Sequence, residues 1–294
     1  MEPRVHEVLK AYVSAQLERA IDCLAWSGRR RHRGVHQARK SLRRVRATLA
    51  LAGDALGPDL ALVDAAIREV NVSLSALRDA QALVEVLERL ARHEDGAKTL
   101  ALLASVRRAA VARRVTVLRG HLRTDPELRG RSERLVALGQ RIDALDWASL
   151  TARQVEDGLE YSTQRAAKAG RSAIKGGGDE RWHRWRRRVR RLGQQLHALG
   201  SASQPIDRHS KKLARLLGNA QDLTLLAMHC GRDSPFAADD RRALARFARK
   251  QGKRARNDIH AHVTRHGRRM LATGEAGPGG GRHQDRPGDD PIRS

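Results

Sequence analysis

The sequence predicts an all-α protein with an internal duplication, and three observations support this. Apolar residues recur every three or four positions along nearly the whole chain, as they do on the buried face of a helix. No stretch alternates apolar and polar residues as a half-buried strand does. Two segments, one starting at Val35 and one at Trp182, repeat the same order of cationic and apolar residues.

The periodic pattern predicts nine helices in a chain of 294 residues, which is long enough for one large domain or two small ones. The predicted helices cover about 5–26, 35–52, 58–93, 97–121, 125–145, 150–171, 180–199, 205–230 and 235–271. A capping side chain stands before a proline at Asp125-Pro126 and at Ser234-Pro235, which signals a helix start. The Gly-, Pro- and Asp-rich segment 273–294 is predicted to be disordered, the alternative being a short recognition tail.

The charge balance predicts a polyanionic partner. The chain has 58 Lys and Arg against 33 Asp and Glu, a net charge of +25, and a field of that size attracts polyanions. Arg supplies 49 of these cations, which reflects either a GC-rich genome, phosphate recognition by guanidinium forks, or both. Aromatic residues are only 3% of the chain, which argues against a protein that stacks nucleic-acid bases.

Other features favour a protein of the reducing cytoplasm. Cys23 and Cys230 are far apart and lack metal-ligand spacing, so we expect two unpaired thiols in the protein interior. No apolar run is long enough to span a bilayer, so no membrane association is expected. The N-terminal segment is amphipathic and acidic and does not resemble a signal peptide.

The two repeated segments each predict a helix with one apolar and one cationic face. At about 100° per residue, each apolar face has the spacing of a helix that packs into a bundle. The apolar faces contain Val35, Ala38, Leu42, Val45 and Leu49 in the first segment, and Trp182, Trp185, Val189, Leu192 and Leu196 in the second. The cationic faces contain His36, Arg39, Lys40, Arg43 and Arg46, then His183, Arg186, Arg187 and Arg190, with Arg44 and Arg191 further round.

The cationic faces favour an anion-binding site over a solvated surface. Cations that share a helix face repel one another, and no Asp or Glu lies between Val35 and Leu51 to offset that repulsion. A matching acidic residue follows each segment, Asp79 in one half and Asp222 in the other. We expect these carboxylates to orient the arginines, although they are also compatible with exposed surface positions.

Further cations lie on the fourth helix of each half. Arg107 and Arg114 are two turns apart in the first half, and Lys250 and Lys253 lie on one stripe in the second. These side chains either face the ligand from the opposite wall or lie in solvent.

No enzymatic activity is expected. No histidine has metal-ligand spacing with acidic partners, and the sequence has no nucleophile elbow and no phosphate-binding P-loop. Phosphoryl transfer requires Mg²⁺ held by carboxylates, and no acidic cluster is visible. We therefore expect no catalytic residue, no metal and no cofactor. His36 and His183 are interpreted as donors to phosphate oxygens.

The double histidine–arginine pattern, with an acidic residue after each copy, resembles the CHAD domain family over about 5–271. This resemblance implies two pseudo-symmetric four-helix bundles with a basic central channel that binds polyphosphate, and association with polyphosphate granules. On this basis a CHAD domain is expected over 1–272, with halves over 1–124 and 147–272 and a connecting helix over 125–146. CHAD domains are often fused to a CYTH-type hydrolase, but this sequence lacks the strands and the Glu-x-Glu-x-Lys pattern of that domain.

The expected ligand is inorganic polyphosphate. The expected site contains His36, Arg39, Lys40, Arg43, Arg44, Arg46, Arg78, Arg107, Arg114, His183, Arg186, Arg187, Arg190, Arg191, Lys250 and Lys253, with Asp79 and Asp222 in support. Two alternatives remain: an architectural protein that binds the nucleic-acid backbone without reading bases, and a scaffold for acidic proteins. Gln221 replaces Arg78, and Gly193 replaces Arg46, in the second half, so the first half is expected to bind more strongly.

Overall fold

The computed structural model describes residues 4–176, 178–200, 205–231 and 234–271, and within these ranges all regular structure is helical, which confirms the all-α prediction. The helices are α1 (Val5–Leu24), α2 (Arg31–Leu49), α3 (Asp59–Ser73), α4 (Ser75–Ala91), α5 (Ala97–Thr124), α6 (Arg129–Asp143), α7 (Ala152–Ile174), α8 (Asp179–Ala198), α9 (Pro205–Met228) and α10 (Ala238–Leu271). The predicted tail over 273–294 lies outside the described residues. None of the described helices is long and apolar enough to cross a membrane.

The prediction of one helix over 58–93 is wrong, because that segment forms α3 and α4 with a break at Leu74. Leu74 is completely buried and has φ −91° and ψ 0°. Two arginines take the backbone carbonyls at this break: Arg39 donates to the carbonyl of Asn71, and Arg131 to that of Ser73 at 3.4 Å. These side chains satisfy carbonyls that a continuous helix would have bonded itself, so the helix ends without Gly or Pro.

The first helical bundle is formed by α1, α2, α3 and α6 around one apolar core. The apolar face predicted for α2 is confirmed, since its five residues are all buried: Val35, Ala38, Leu42, Val45 and Leu49. α2 approaches α1 closely at Gly34, where a Cβ would lie 2.2 Å from the carbonyl oxygen of Cys23. This glycine therefore sets the separation of the two helices that position the first cationic face.

The second bundle is formed by α7, α8, α9 and α10, in which α7 packs on α8, α8 on α9 and α9 on α10. Trp182, Trp185 and Val189 are buried in its core as predicted, whereas Leu192 and Leu196 are only partly buried. A further apolar cluster joins α4 and α5 to α9 and α10. The two halves are thus packed together.

Gln195 is the fully buried residue at the end of α8, where the periodicity favoured leucine. Its side-chain amide donates to the carbonyl oxygen of Ala47 on α2 at 3.1 Å. This bond fixes α8 against α2 and therefore aligns the two cationic faces.

Candidate anion-binding site

The packing of α2 on α8 brings the two repeated segments together around Arg43. Four other arginines lie within electrostatic range of it: Arg39 from α2, Arg78 from α4, and Arg186 and Arg190 from α8. We call these five residues the central arginine cluster. Two segments that lie far apart in the sequence thus contribute to one site.

The cluster holds buried positive charge with few internal acceptors. The guanidinium groups of Arg43, Arg186 and Arg190 form no hydrogen bond to any residue that the structure describes. Burial, followed by the neighbouring arginines, lowers the pKa of Arg43 to about 9 and that of Arg190 to about 10. Each group remains protonated at neutral pH, so the repulsion persists until an anion offsets it.

Arg39 is positioned by neutral acceptors. It donates to the carbonyl of Asn71 and, at 2.9 Å, to the hydroxyl of Ser75, while its buried Nε has no partner among the described residues. Burial lowers its pKa, an effect that the charge of Asp79 partly offsets. The fork of Arg39 is therefore fixed at one end.

Arg186, the equivalent residue on α8, has a different environment. It lies 4.0 Å from the position that a Cβ would occupy on Gly218, so no side chain corresponding to Ser75 is present there. Burial lowers the pKa of Arg186, and Asp222 opposes that shift.

Arg78 carries its own counter-ion. It forms an ion pair with Glu85 at 2.8 Å, and Glu85 also accepts a hydrogen bond from Gln81 at 3.0 Å. Burial acts to raise the pKa of Glu85, but Arg78 and the hydrogen bonds outweigh it, so the pKa is lowered. The Gln81 carbonyl accepts from Arg114 at 3.0 Å, which links α4 to α5.

The two histidines lie at the edge of the cluster. Burial, then Arg78, Arg43 and Lys40, lower the pKa of His36 to about 4, although Glu85 opposes the change. The pKa of His183 is also lowered, mainly by burial, and its buried Nδ1 has no partner among the described residues. Both rings are therefore neutral at pH 7, and a neutral imidazole has one N–H donor. In His183 a hydrogen bond with Gln221 opposes the lowering of the pKa.

The two carboxylates that follow the repeated segments differ in their contacts. Asp222 accepts a hydrogen bond from Arg89 of α4 at 2.9 Å, whereas Asp79 is exposed and acts on Arg39 through its charge. Sequence reasoning missed Arg89, because it lies outside the repeated segments and nothing in the sequence links it to Asp222. The proposed orienting role of both carboxylates stays a prediction.

Several predicted site residues are bonded to neighbours outside the central arginine cluster. Arg46 forms two bonds to Asp64 at 2.8 and 2.6 Å, Arg107 pairs with Glu88 at 3.0 Å, and Arg44 donates to Gln16 at 3.1 Å. Others are placed around the cluster or on the surface: Lys40 and Arg187 flank it, Arg191 lies beside Arg188, and Lys250 and Lys253 are exposed on α10. The role of each in binding stays a prediction.

The carboxylates and thiols of the described residues do not form a metal site. Among the described residues, no group of three or more His, Cys, Asp or Glu side chains is arranged to hold a metal ion. The chemistry that this arrangement offers is the binding of oxyanions by guanidinium forks and imidazole N–H groups.

Comparison with known proteins gives one family and two similar structures. The CHAD domain model matches residues 11–229. The CHAD domain from the plant Ricinus communis has a TM-score of 0.67 at 20% sequence identity, with 90% of this chain and 91% of that chain covered. PptA from Streptomyces chartreusis has a TM-score of 0.62 at 20% identity, with 89% of this chain and 100% of that chain covered. No curated protein matches the sequence significantly.

Proposed function

The chain belongs to the CHAD domain family, which is associated with polyphosphate, and we propose that it binds inorganic polyphosphate along the cationic faces of α2 and α8. One observation supports this most strongly: Arg43 and Arg190 are partly buried and lie close together among other arginines, and neither has a hydrogen bond or a neighbouring carboxylate among the described residues. Such an arrangement costs free energy unless a ligand supplies negative charge.

The shape of the charge distribution favours a linear phosphate polymer. The cations follow two helices that pack on each other, so they form a continuous track from Lys40 through Arg43 to Arg187. Polyphosphate has a phosphate at every repeat and no bases, and it therefore suits a track of guanidinium forks without stacking surfaces. The two tryptophans of α8, Trp182 and Trp185, are buried in the core.

The proposed activity is binding without catalysis. In this proposal the imidazoles of His36 and His183 donate to phosphate oxygens, and Asp79 and Asp222 orient the arginines. A general base must accept a proton, and the surrounding arginines favour the neutral form of each ring only while the anion is absent. A bound polyphosphate favours the protonated imidazole, which is a donor and not a base.

The competing proposal is binding to the nucleic-acid backbone, which the net charge of +25 also favours. A competition experiment separates the two: fluorescent polyphosphate is bound to the protein, then displaced with single-stranded DNA at matched phosphate concentration. We expect DNA to displace it poorly, because the tryptophans of α8 are buried in the core and α2 has no Phe, Tyr or Trp on which bases could stack. Equal displacement in both directions favours the nucleic-acid alternative instead.

Salt dependence tests the ionic character of the same complex. If about six to ten phosphates are contacted, the affinity should fall by roughly 10³-fold or more between 50 and 200 mM salt, by analogy with DNA. A titration series at five salt concentrations measures the slope. An affinity that hardly changes with salt contradicts polyanion binding altogether.

Association with polyphosphate granules in the cytoplasm is the cellular extension of this proposal. A fluorescent fusion should concentrate at granules that stain for polyphosphate, and the same fusion carrying Arg43→Ala should be diffuse. Granule staining in both strains controls for loss of the polymer.

A further inference from the structure

The start of α2 concentrates basic residues where a helix usually has acidic ones. Arg29, Arg30, Arg31, His32 and Arg33 follow one another here, and the first turn of α2 contains no Asp or Glu. The N-terminus of a helix already carries partial positive charge, so carboxylates are favoured there and cations are not. This end of α2 therefore has a surplus of positive charge that the helix itself increases.

Arg31 is a buried cation at this end of the helix. It lies on the core face of α2, one turn before Val35, and only 8% of its surface is exposed. Its Nη1 is buried without a partner, and Arg31 forms no hydrogen bond or ion pair with any residue in the described ranges. Arginine stays protonated in proteins, so this charge costs free energy until an anion reaches it.

Two further side chains with unpartnered nitrogen atoms lie nearby. Arg114 of α5 and Arg31 are both within electrostatic range of the His32 ring, whose pKa is lowered by burial and then by Arg114. Nδ1 of His32 and Nε of Arg114 are buried and have no partner among the described residues, although Arg114 also donates to Gln81 at 3.0 Å. His32 and Arg114 are only partly buried, so a small anion can approach from their side.

The carboxylate within electrostatic range of His32 is already bonded elsewhere. It belongs to Glu85, whose two oxygens accept from Arg78 at 2.8 Å and from Gln81 at 3.0 Å. The carbonyl end of α1 is a weaker source of negative charge, and it approaches α2 about one turn beyond Arg31, at Gly34. Neither source gives Arg31 a hydrogen bond.

The second half has a built-in anion at the corresponding place. The alignment of the two repeated segments matches His32 with Asp179, and α8 begins with Asp179 and Glu180. Asp179 accepts a hydrogen bond from Arg256 of α10, just as His32 lies in range of Arg114 of α5. The second half therefore pairs the arginine of its last helix with a carboxylate, whereas the first half sets that arginine beside a histidine and a buried arginine.

We infer that the start of α2 is a second anion site, in which Arg31, His32 and Arg114 bind one phosphate group in the place that Asp179 takes in the second half. The two guanidinium groups offer charge-assisted bonds to the phosphate oxygens, and the imidazole offers a further N–H. None of the three residues belongs to the central arginine cluster. The phosphate is either free or part of a polyphosphate chain, and only the second case rests on the proposed function.

Arg31→Met tests this inference, because it removes the buried charge and keeps a long apolar side chain that adapts to its surroundings. Arg33→Met is the matched control, since it makes the same change at an exposed position of the same turn. Arg114→Gln removes the other guanidinium group and replaces Arg31→Met should that variant not fold. All proteins are studied in low-salt buffer, first with orthophosphate and then with long-chain polyphosphate.

The His32 ring reports on the site through its NMR signal, which is assigned by its absence from His32→Gln. In the wild type and in Arg33→Met, phosphate should raise the pKa of His32 by about one unit or more, because a nearby anion favours the imidazolium. The rise should be lost or strongly reduced in Arg31→Met. A response that came only from the central arginine cluster would be the same in both variants.

Thermal melts without phosphate test the cost of the unpaired charge. Arg31→Met should melt at or above the wild type, because a buried charge without a partner is removed. His32→Asp installs the carboxylate of the second half, so it should also raise the melting temperature, and it should abolish the stabilisation that phosphate gives through this site.

The two probes separate the sources of the phosphate group. A response of His32 to orthophosphate indicates free phosphate, whereas a response confined to polyphosphate indicates a phosphate of the polymer. The inference is overturned if His32 responds to neither probe, or equally in Arg31→Met and Arg33→Met. An equal response together with a lower melting temperature of Arg31→Met shows that the carbonyl end of α1 already stabilises Arg31. Failure of the proposed function is distinguishable, because the wild type then does not bind polyphosphate, and the orthophosphate response of His32 still tests this site.

Discussion

The two halves present the same cationic pattern but neutralise it differently. In the first half, the additional arginines are paired with carboxylates, Arg46 with Asp64 and Arg78 with Glu85. In the second half, Gly193 and Gln221 replace these two arginines. Within this pattern the first half therefore has more arginines but not more unpaired charge. The number of cations without an internal partner, and not the number of arginines alone, therefore bears on the strength of an anion site.

The two halves also differ in how firmly their arginines are held by neighbouring side chains. Arg39 is held by the Ser75 hydroxyl, whereas its counterpart Arg186 faces Gly218. A pre-positioned fork loses less conformational freedom when it binds, while a looser fork can follow the ligand. We now expect the halves to contribute about equally, which departs from the sequence expectation of a stronger first half.

The largest expected effect is the loss of stability when a core residue of α2 is truncated, and it distinguishes the core face of this helix from its cationic face. Leu42 is completely buried, so Leu42→Ala should lower the free energy of unfolding by about 2–5 kcal/mol. Val189, its counterpart, is smaller and 7% exposed, and Val189→Ala should cost roughly 1.5–2.5 kcal/mol. Denaturant titrations measure both, with the exposed Leu62→Ala as the control. A loss of affinity without a loss of stability for Leu42→Ala contradicts the assignment of this face to the core.

The next largest effect is a loss of polyphosphate affinity on changing Arg43 or Arg190, which occupy matching places in the central arginine cluster. Either change to alanine should weaken polyphosphate binding by about 10- to 100-fold, the equivalent of one charge-assisted contact. The free protein should be as stable as the wild type or more stable, because a repelling buried charge is removed. Binding titrations and thermal melts measure the two effects.

Replacement by lysine serves as the control for charge, and Arg43→Lys should recover only part of the affinity, since lysine lacks the fork. A much larger loss for Arg43 than for Arg190 restores the sequence expectation of a dominant first half. If Arg43→Ala unfolds while the affinity of the folded fraction is unchanged, Arg43 stabilises the fold and does not bind the ligand.

These comparisons show which features of the molecule can be predicted from local sequence. Helical periodicity predicts where the core lies because burial repeats every turn, and Val35 to Leu49 follow that rule. The repeated segments likewise place Arg43 and Arg190 on corresponding faces. The all-α fold and the core face of α2 can therefore be predicted from the sequence.

Contacts between distant segments cannot be predicted from helical periodicity. The break at Leu74 depends on Arg39 and Arg131 reaching backbone carbonyls from other helices. The sequence also does not predict the pairing of Arg46 with Asp64, because a periodic pattern gives the direction of a side chain but not its partner.

A smaller effect concerns pH. The pKa of His36 is about 4 in the folded protein, below its ordinary value of 6.5, so the unfolded chain binds the proton more readily. Stability is fully present above about pH 6.5 and should decline as the pH falls towards 4. Polyphosphate affinity should rise over the same interval, because the bound anion favours the imidazolium.

His36→Asn tests this relation, and the pH profiles of stability and affinity should both become flatter. The groups that face the ring, namely Arg78, Arg43, Lys40 and Glu85, are unchanged in this variant. The matching variant His183→Asn should flatten the profiles less, since the shift of His36 is the larger one. Unaltered profiles for His36→Asn exclude this ring as the titrating group.

The smallest expected effect converts the first half towards the second. Met228 occupies the position of Glu85 in the second half, and both side chains are exposed, so Glu85→Met should be tolerated. The change frees Arg78 from its ion pair and removes a carboxylate that opposes an incoming anion. The gain should be modest, roughly two- to fivefold in affinity, because partly exposed ion pairs contribute about 1 kcal/mol or less.

Two further variants identify the cause of any gain. Glu85→Gln keeps the polar shape and should give a similar increase, whereas Glu133→Gln removes an exposed carboxylate on α6 and reports the effect of net charge alone. Titrations at 50 and 200 mM salt should show the gain shrinking with salt. If Glu85→Met weakens binding instead, the ion pair positions Arg78 for the ligand, and the two halves then differ in how they hold their arginines and not in how many are available.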